Sequence, residues 1–532
     1  MWRWPKFPRF AVESDGSQEK RRRIEEDEKP HVADTFTIEE ATVEEIQSAF
    51  KQNKLTSRQL VDHYLKAIED LNPTLRAVIE VNPDARRQAD EADRNRDLPG
   101  GSKTNIHGIP LLLKDNIATN DKTNTTAGSV VLLNSKVPRN ATVVANLRTA
   151  GAIILGKANL TEWAGIRGRV PEGWSARGLK AINPYKLSVS AGGSSTGSAV
   201  SVAANLVTVS LGTETYGSII TPSNVNGVVG IKPTLGLVSR AGVIPVTLRQ
   251  DSIGPIGRTV SDAVHLLDAI VGYDPRDEIT RDALQYIPTG GFNQCLRVGG
   301  LEKKRLGNLW HYYKDDYEKK ASVAETFEAH FSTMSRKGAS VIDNLELKYI
   351  DDFKKEINSQ FIATSYEFKR DINIYLPNLL ESQVRSLDDL IEMNKLHAEE
   401  EMPDGYDQAG FLLFNETSLP NEEYTEAVKE LETICKEGLE TFMQDNDLDA
   451  IVVPENKGSI ILAIGGYPGI VVPAGFDQGL PFGIMFGGLK GSDAKLIEIA
   501  YAFEQATKVR KPPNIQTFLS DSAPKSNVDV AP

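Results

Sequence analysis

Apolar residues along this chain follow two rhythms. Near the amino terminus, Ile46, Phe50, Leu60, Val61, Tyr64, Leu65 and Ile68 recur at helical spacing, with Thr56 or Ser57 placed to cap a helix. Farther on they gather into short unbroken runs beside glycines: IPLLLKD at 109–115, GAIILGK at 151–157, NLVTVSLGT at 205–213, GVVGIKP at 227–233, DAIVVPE at 449–455 and GIVVPAG at 469–475. Helical stretches lie between them, such as NATVVANLRTAG at 140–151 and TVSDAVHLLDAIVG at 259–272. Strands without a polar face must be covered on both sides. The pattern therefore predicts an α/β fold, a single large domain with a central mixed β-sheet covered by helices on both faces.

From about 300 to 445 the chain is richer in charge and helix formers, so a helical excursion is expected there, with a return to the core over 446–515. The catalytic core is expected within about 100–280. Residues 1–36 are charged and contain proline, with no apolar stretch of signal-peptide length, and are expected to form a disordered tail. The KRRR at 20–23 is followed at once by acidic residues and fits a solvated charge run better than a targeting patch. Residues 516–532 are expected to be a second disordered tail, leaving one domain over 37–515.

Composition narrows the function. The 532 residues are 40% hydrophobic, enough for a sizeable core. A formal charge of −13 argues against nucleic acid or an anionic membrane surface as a steady partner. No apolar run reaches the roughly 18 residues of a membrane span, so no membrane anchor is expected, and the expected protein is cytoplasmic, a monomer or homodimer. Cys295 and Cys435 alone make no disulfide framework, and the seven histidines show no metal-ligand spacing.

One segment concentrates small and hydroxylic residues: AGGSSTGSAV at 191–200, followed by GTETYGSIITPSNVNGVVGIKPT at 212–234. It is not a P-loop, since the near miss GAIILGKA ends in alanine, and GGSSTG lacks the GxGxxG spacing. A linker would not run straight into SAVSVAANLVTVSL, a small-residue helix leading to an apolar strand. GSSTG at 193–197 matches the GxSxG elbow centred on Ser195, but NPYKLSVSAG is a poor strand to precede an elbow. Any serine nucleophile needs a base. His107 and His265 belong to no recognisable Asp–His–Ser set. The alternative is a lysine kept neutral by burial, and Lys114 ends the apolar run Ile109–Leu113; the competing reading is a strand-end lysine reaching back to water.

Together these pieces resemble the amidase signature family. GGSSTGSAV corresponds to its GGSS(G/S)GS segment, GTETYGSIITPSNVNGVVGIKPT to its GT(D/E)xxGSI…GVVGxKPT segment, and LLLKDN to its lysine segment. GAIILGKANLTEWA, NPY, GPIGRTVSDAV and the carboxy-terminal GGYPGIVVPAGFDQGLPFGIMFGG fit as well. GWSARG and TETYGS look closest to the branch of peptide amidases and their fungal and plant relatives. The resemblance implies an amidase that hydrolyses a small-molecule amide through an acyl-enzyme, with no cofactor. It assigns the lysine to Lys114, the cis-peptide serine to Ser194 and the acyl-forming serine to Ser218. The amides of Thr215, Tyr216, Gly217 and Ser218 would form the oxyanion hole, with Thr213, Ser195 and Gly193 supporting the site.

Two positions depart from the family pattern. Thr196 replaces a small Gly or Ser, and Tyr216 stands where Gly or Asp is usual. Tyr216 either packs away from the site or lines the pocket mouth, which leaves the substrate open. Rival readings are the amidase subunit of a glutamine-dependent amidotransferase, a fatty-acid-amide-type hydrolase, and a non-catalytic binding protein on the same fold. Lys114, Ser194 and Ser218 together argue against the last.

Overall fold

A computed structural model describes residues 36–96, 98, 104–354, 357–418 and 422–515. The tails expected over 1–36 and 516–532 lie outside the described residues, apart from Phe36. From Thr37 onward the chain forms one compact unit.

The amino-terminal periodicity becomes two helices, Val43–Lys51 and Ser57–Leu75. Thr42 and Thr56 cap them, each in a reciprocal box with the third helical residue, Glu45 and Gln59 respectively. Of the predicted apolar face, Ile46, Phe50, Leu60, Val61, Tyr64 and Ile68 are buried, while Leu65 is half-buried.

The six apolar runs all become strands of one mixed sheet. In chain order the strands are β1 (Val78–Val81), β2 (Pro110–Lys114), β3 (Ile153–Ala158), β4 (Val209–Glu214), β5 (Val229–Lys232) and β6 (Ser252–Gly257). They continue with β7 (Arg305–Asn308), β8 (Ser340–Ile342), β9 (Ala450–Pro454), β10 (Gly469–Asp477) and β11 (Leu480–Gly487). Among the described residues the spatial order is β1-β3-β2-β4-β6-β5-β10-β11-β9-β7-β8. The stretch β3-β2-β4 is parallel, as is β9-β7-β8, and the remaining pairs are antiparallel. Every residue of β2, β3, β4, β5, β6 and β9 is buried, the burial that unbroken apolar runs require.

Five strands carry no such run. In β6 two glycines and Pro255 interrupt the pattern, yet Gly254 has a packing reason. A Cβ there would lie 1.9 Å from the Ile231 carbonyl oxygen of neighbouring β5. β10 and β11 form a hairpin in which Asp477 pairs with Leu480, and Gln478 and Gly479 take the positive φ of a two-residue turn. Between 300 and 445 helices dominate, among them Ala321–Arg336, Asn358–Tyr375 and Glu422–Thr433, while β7 and β8 extend the sheet.

The crossover from β3 to β4 positions the site. It contains helix Thr196–Ala203, whose residues are all buried and which packs on β2, β3, β4 and β6. Small side chains let it pass close to other backbone: a Cβ on Gly197 would meet the Ala77 carbonyl oxygen at 2.2 Å and the Asn159 nitrogen at 2.4 Å. Lys114 closes β2 and Glu214 closes the parallel β4 beside it. The loop after β4 and the start of this helix therefore gather at the carboxyl ends of adjacent parallel strands, where sheets of this type present their reactive groups.

Candidate active site

The strand end carries the Lys114 side chain into the interior, where it is 0% exposed. Its Nζ lies 2.7 Å from Ser194 Oγ, 3.0 Å from Ser195 Oγ and 2.9 Å from the Thr213 carbonyl oxygen. Ser194 Oγ in turn lies 2.9 Å from Ser218 Oγ. The three residues singled out by motif and resemblance thus form a continuous chain, Lys114–Ser194–Ser218, contributed by β2, by the loop before helix Thr196–Ala203 and by the loop after β4. Burial pushes the Lys114 ammonium down to about 7, against the opposing pull of the Glu214 and Asp251 carboxylates. Asp115, the first residue after the strand, has its own partners away from the two serines. Its carboxylate accepts from Thr126 Oγ1 and the Gly128 amide and lies 3.4 Å from Arg177 Nη1.

The Gly193–Ser194 peptide bond is cis. Gly192 has φ +71°, and a Cβ on Gly193 would come within 2.6 Å of Thr161 Oγ1, so both glycines are required by the path of the chain. The Thr161 amide donates to the Ser194 carbonyl oxygen at 3.0 Å, and the Ser195 amide to the Ser218 carbonyl oxygen at 3.0 Å. This last bond ties the two serine loops together. Thr196 folds its hydroxyl back onto the Gly192 carbonyl oxygen, which explains how a larger residue fits beside the loop.

The loop Thr215–Ser218 is anchored at both ends. Asp251 Oδ1 accepts from Thr215 Oγ1 at 2.6 Å, and Glu214 Oε2 accepts from the amides of Ile219 and Ile220 at 2.6 and 3.0 Å. Gly217 has φ +69°, a conformation that suits glycine. The Gly217 and Ser218 amides have no protein acceptor among the described residues, so they are available to an oxygen bound beside Ser218. Tyr216 is 41% exposed at the surface of this loop. Asn116 Nδ2 donates to Thr213 Oγ1 at 2.9 Å and so orients that residue.

Three supporting residues were not singled out from sequence: Asn116, Glu214 and Asp251. The first two lie inside the quoted motifs, where polarity next to an apolar run is the available signal. Asp251 contacts a residue thirty-six positions earlier through sheet pairing, and nothing local announces it.

The histidines lie elsewhere. His107 is buried with Nε2 2.9 Å from the Ala92 carbonyl oxygen, and His265 contacts Asn105 and Glu44. Among the described residues no group of three or more His, Cys, Asp or Glu is placed to hold a metal ion. No described helix is long and apolar enough to cross a membrane.

Comparison with known proteins finds relatives over most of the chain. The model of the family described as Amidase matches residues 59–459. A probable amidase of Arabidopsis thaliana is 54% identical over 486 residues, covering 91% of this chain and 93% of that protein. The crystal structure of native peptide amidase from Stenotrophomonas maltophilia superposes with a TM-score of 0.82 at 38% identity, covering 90% of this chain and 99% of that one. An amidase family protein from Bacillus anthracis gives a TM-score of 0.83 at 34% identity, covering 90% and 92%.

Proposed function

The chain belongs to the amidase family and is a hydrolase of carbon–nitrogen bonds in amides, and on that premise we propose that it works through Ser218, Ser194 and Lys114 by way of an acyl-enzyme. The observation that carries this reading is the set of partners around Lys114 Nζ. A neutral amine has two hydrogens and one lone pair. Ser195 Oγ and the Thr213 carbonyl oxygen accept the two hydrogens, and the lone pair is left facing the Ser194 hydroxyl.

As Ser218 Oγ bonds to the amide carbon, its proton passes to Ser194 Oγ while the Ser194 proton moves to Lys114. The developing oxyanion is held by the loop amides of Thr215 to Ser218, among which Gly217 and Ser218 have no competing protein acceptor in the described residues. The C–N bond then breaks, and the proton returns through Ser194 to the leaving nitrogen. Water attacks the ester by the same relay in reverse order, releasing the acid and restoring Ser218. No cofactor enters any of these steps.

The name of the Stenotrophomonas neighbour, a peptide amidase, supports a small carboxamide such as a carboxy-terminal peptide amide as substrate. Tyr216, exposed beside the nucleophile, is suited to discriminate among such substrates. The reading makes residues 37–515 one catalytic domain. It is tested by ammonia release from peptide amides as a function of pH. kcat/KM should rise through one group near pH 7, and Lys114→Arg should be inactive, because a guanidinium stays protonated at working pH. An active Lys114→Arg enzyme would overturn the role of the lysine.

A further inference from the structure

We propose that Asp251 is a positioning residue for the reaction, holding the loop that carries Ser218 through Thr215. The proposal rests on the Ser218–Ser194–Lys114 reading and extends it to a residue outside the motifs. Asp251 is 7% exposed and immediately precedes β6, whose first residue, Ser252, pairs with Glu214 at the end of β4. One oxygen accepts from Thr215 Oγ1 at 2.6 Å, and the other accepts from the amides of Val246 and Thr247 at 2.8 and 3.1 Å. Thr215 is the first residue of the nucleophile loop, so this bond fixes the end of the loop that Glu214 does not.

The carboxylate is itself braced from the helical part of the chain. Thr247 Oγ1 donates to Glu367 Oε2, Arg249 Nε donates to Glu367 Oε1 at 2.9 Å, and the Leu248 amide donates to Asp371 Oδ2 at 3.2 Å. Glu367 and Asp371 lie on helix Asn358–Tyr375, while Tyr424 of helix Glu422–Thr433 also donates to Glu367 at 3.1 Å. Arg240 donates to the Leu248 carbonyl oxygen and is the cation that favours the Asp251 anion. The excursion thus reaches the nucleophile loop through one buried carboxylate.

Three variants test the tether. Thr215→Val breaks it but keeps the carboxylate; kcat should fall by about 10²-fold, the scale of a displaced catalytic group, with KM little changed. Thr215→Ser keeps the hydroxyl and should restore most of kcat. Asp251→Asn should lower kcat in the same way, with KM little changed. Full activity in Thr215→Val, or a Thr215→Ser enzyme no better than Thr215→Val, would overturn the tether whether or not Asp251→Asn folds. An active Lys114→Arg enzyme would instead break the mechanism beneath the proposal, a result distinct from these.

Discussion

Replacing Lys114 with methionine should stabilise the protein at neutral pH while abolishing its activity. The side chain is fully buried, and burial lowers its pKa from 10.5 to about 7. In the unfolded chain the lysine is protonated at pH 7.5, so keeping it neutral in the fold costs about 4 kcal/mol, at about 1.4 kcal/mol per unit. Methionine removes that cost and fills a similar space. It forfeits contacts to Ser194, Ser195 and the Thr213 carbonyl oxygen, worth about 1 kcal/mol each. None of the three is orphaned, because Ser194 keeps Ser218 and Ser195 keeps the Thr213 backbone. A net gain of about 1 kcal/mol at pH 7.5 follows, the trade of stability against function expected at an active site.

The sign of its pH dependence is fixed. A depressed lysine pKa means that the unfolded chain binds the extra proton between pH 7 and 10.5, so wild-type stability rises with pH across that window. The advantage of Lys114→Met should therefore shrink by about 1.4 kcal/mol per unit and reverse a little above about pH 8, and it should be constant below pH 7. Other buried lysines, such as Lys157 and Lys232, titrate in both proteins and cancel in the difference. Urea midpoints of the two proteins from pH 6 to 10 provide the measurement. A methionine variant less stable than wild type at pH 7.5, or a difference that does not change with pH, would refute the claim that burial holds this lysine neutral.

Two further outcomes follow from the fold. Gly197→Ala would press a methyl group within 2.2 Å of the Ala77 carbonyl oxygen, against backbone that cannot yield, and should cost about 3 kcal/mol or more; a melting temperature within a degree of wild type would contradict the packing described for that helix. Burial raises Glu504 from 4.5 to about 8, so its contribution to stability is present below pH 4.5 and lost as pH rises through 8; Glu504→Gln should melt above wild type at pH 9 and alongside it at pH 5, and equal melting temperatures at pH 9 would contradict the burial of that charge.

The fold class was legible because burial on both faces leaves a plain signature. Each of the six unbroken apolar runs is a strand, and both central helical stretches are helices, Thr142–Thr149 and Val260–Ile270. The strands that escaped are those where neighbours, and not propensity, impose extension. β6 survives Gly254, Pro255 and Gly257 because β4 and β5 pair with it on both sides. Lys114, Ser194 and Ser218 could be picked out because the segments that carry them resemble those of the amidase signature family, and the structure brings them into one hydrogen-bonded chain. What surrounds them was hidden. Asp251 reaches Thr215 only through the register of β4 with β6, and the Thr161 amide reaches the Ser194 carbonyl oxygen only once the crossover has folded back. Such contacts depend on tertiary placement, for which a single sequence holds no local mark.

The most direct test of the central claim is to locate the covalent intermediate. Wild-type enzyme labelled with a fluorophosphonate and digested should give one modified peptide, the one containing Ser218, whose Oγ is 2.9 Å from Ser194 and beside the open amides of the loop. Ser218→Ala should take up no label and hydrolyse no amide. An adduct on Ser194 or Ser195, or labelling that persists in Ser218→Ala, would contradict the account.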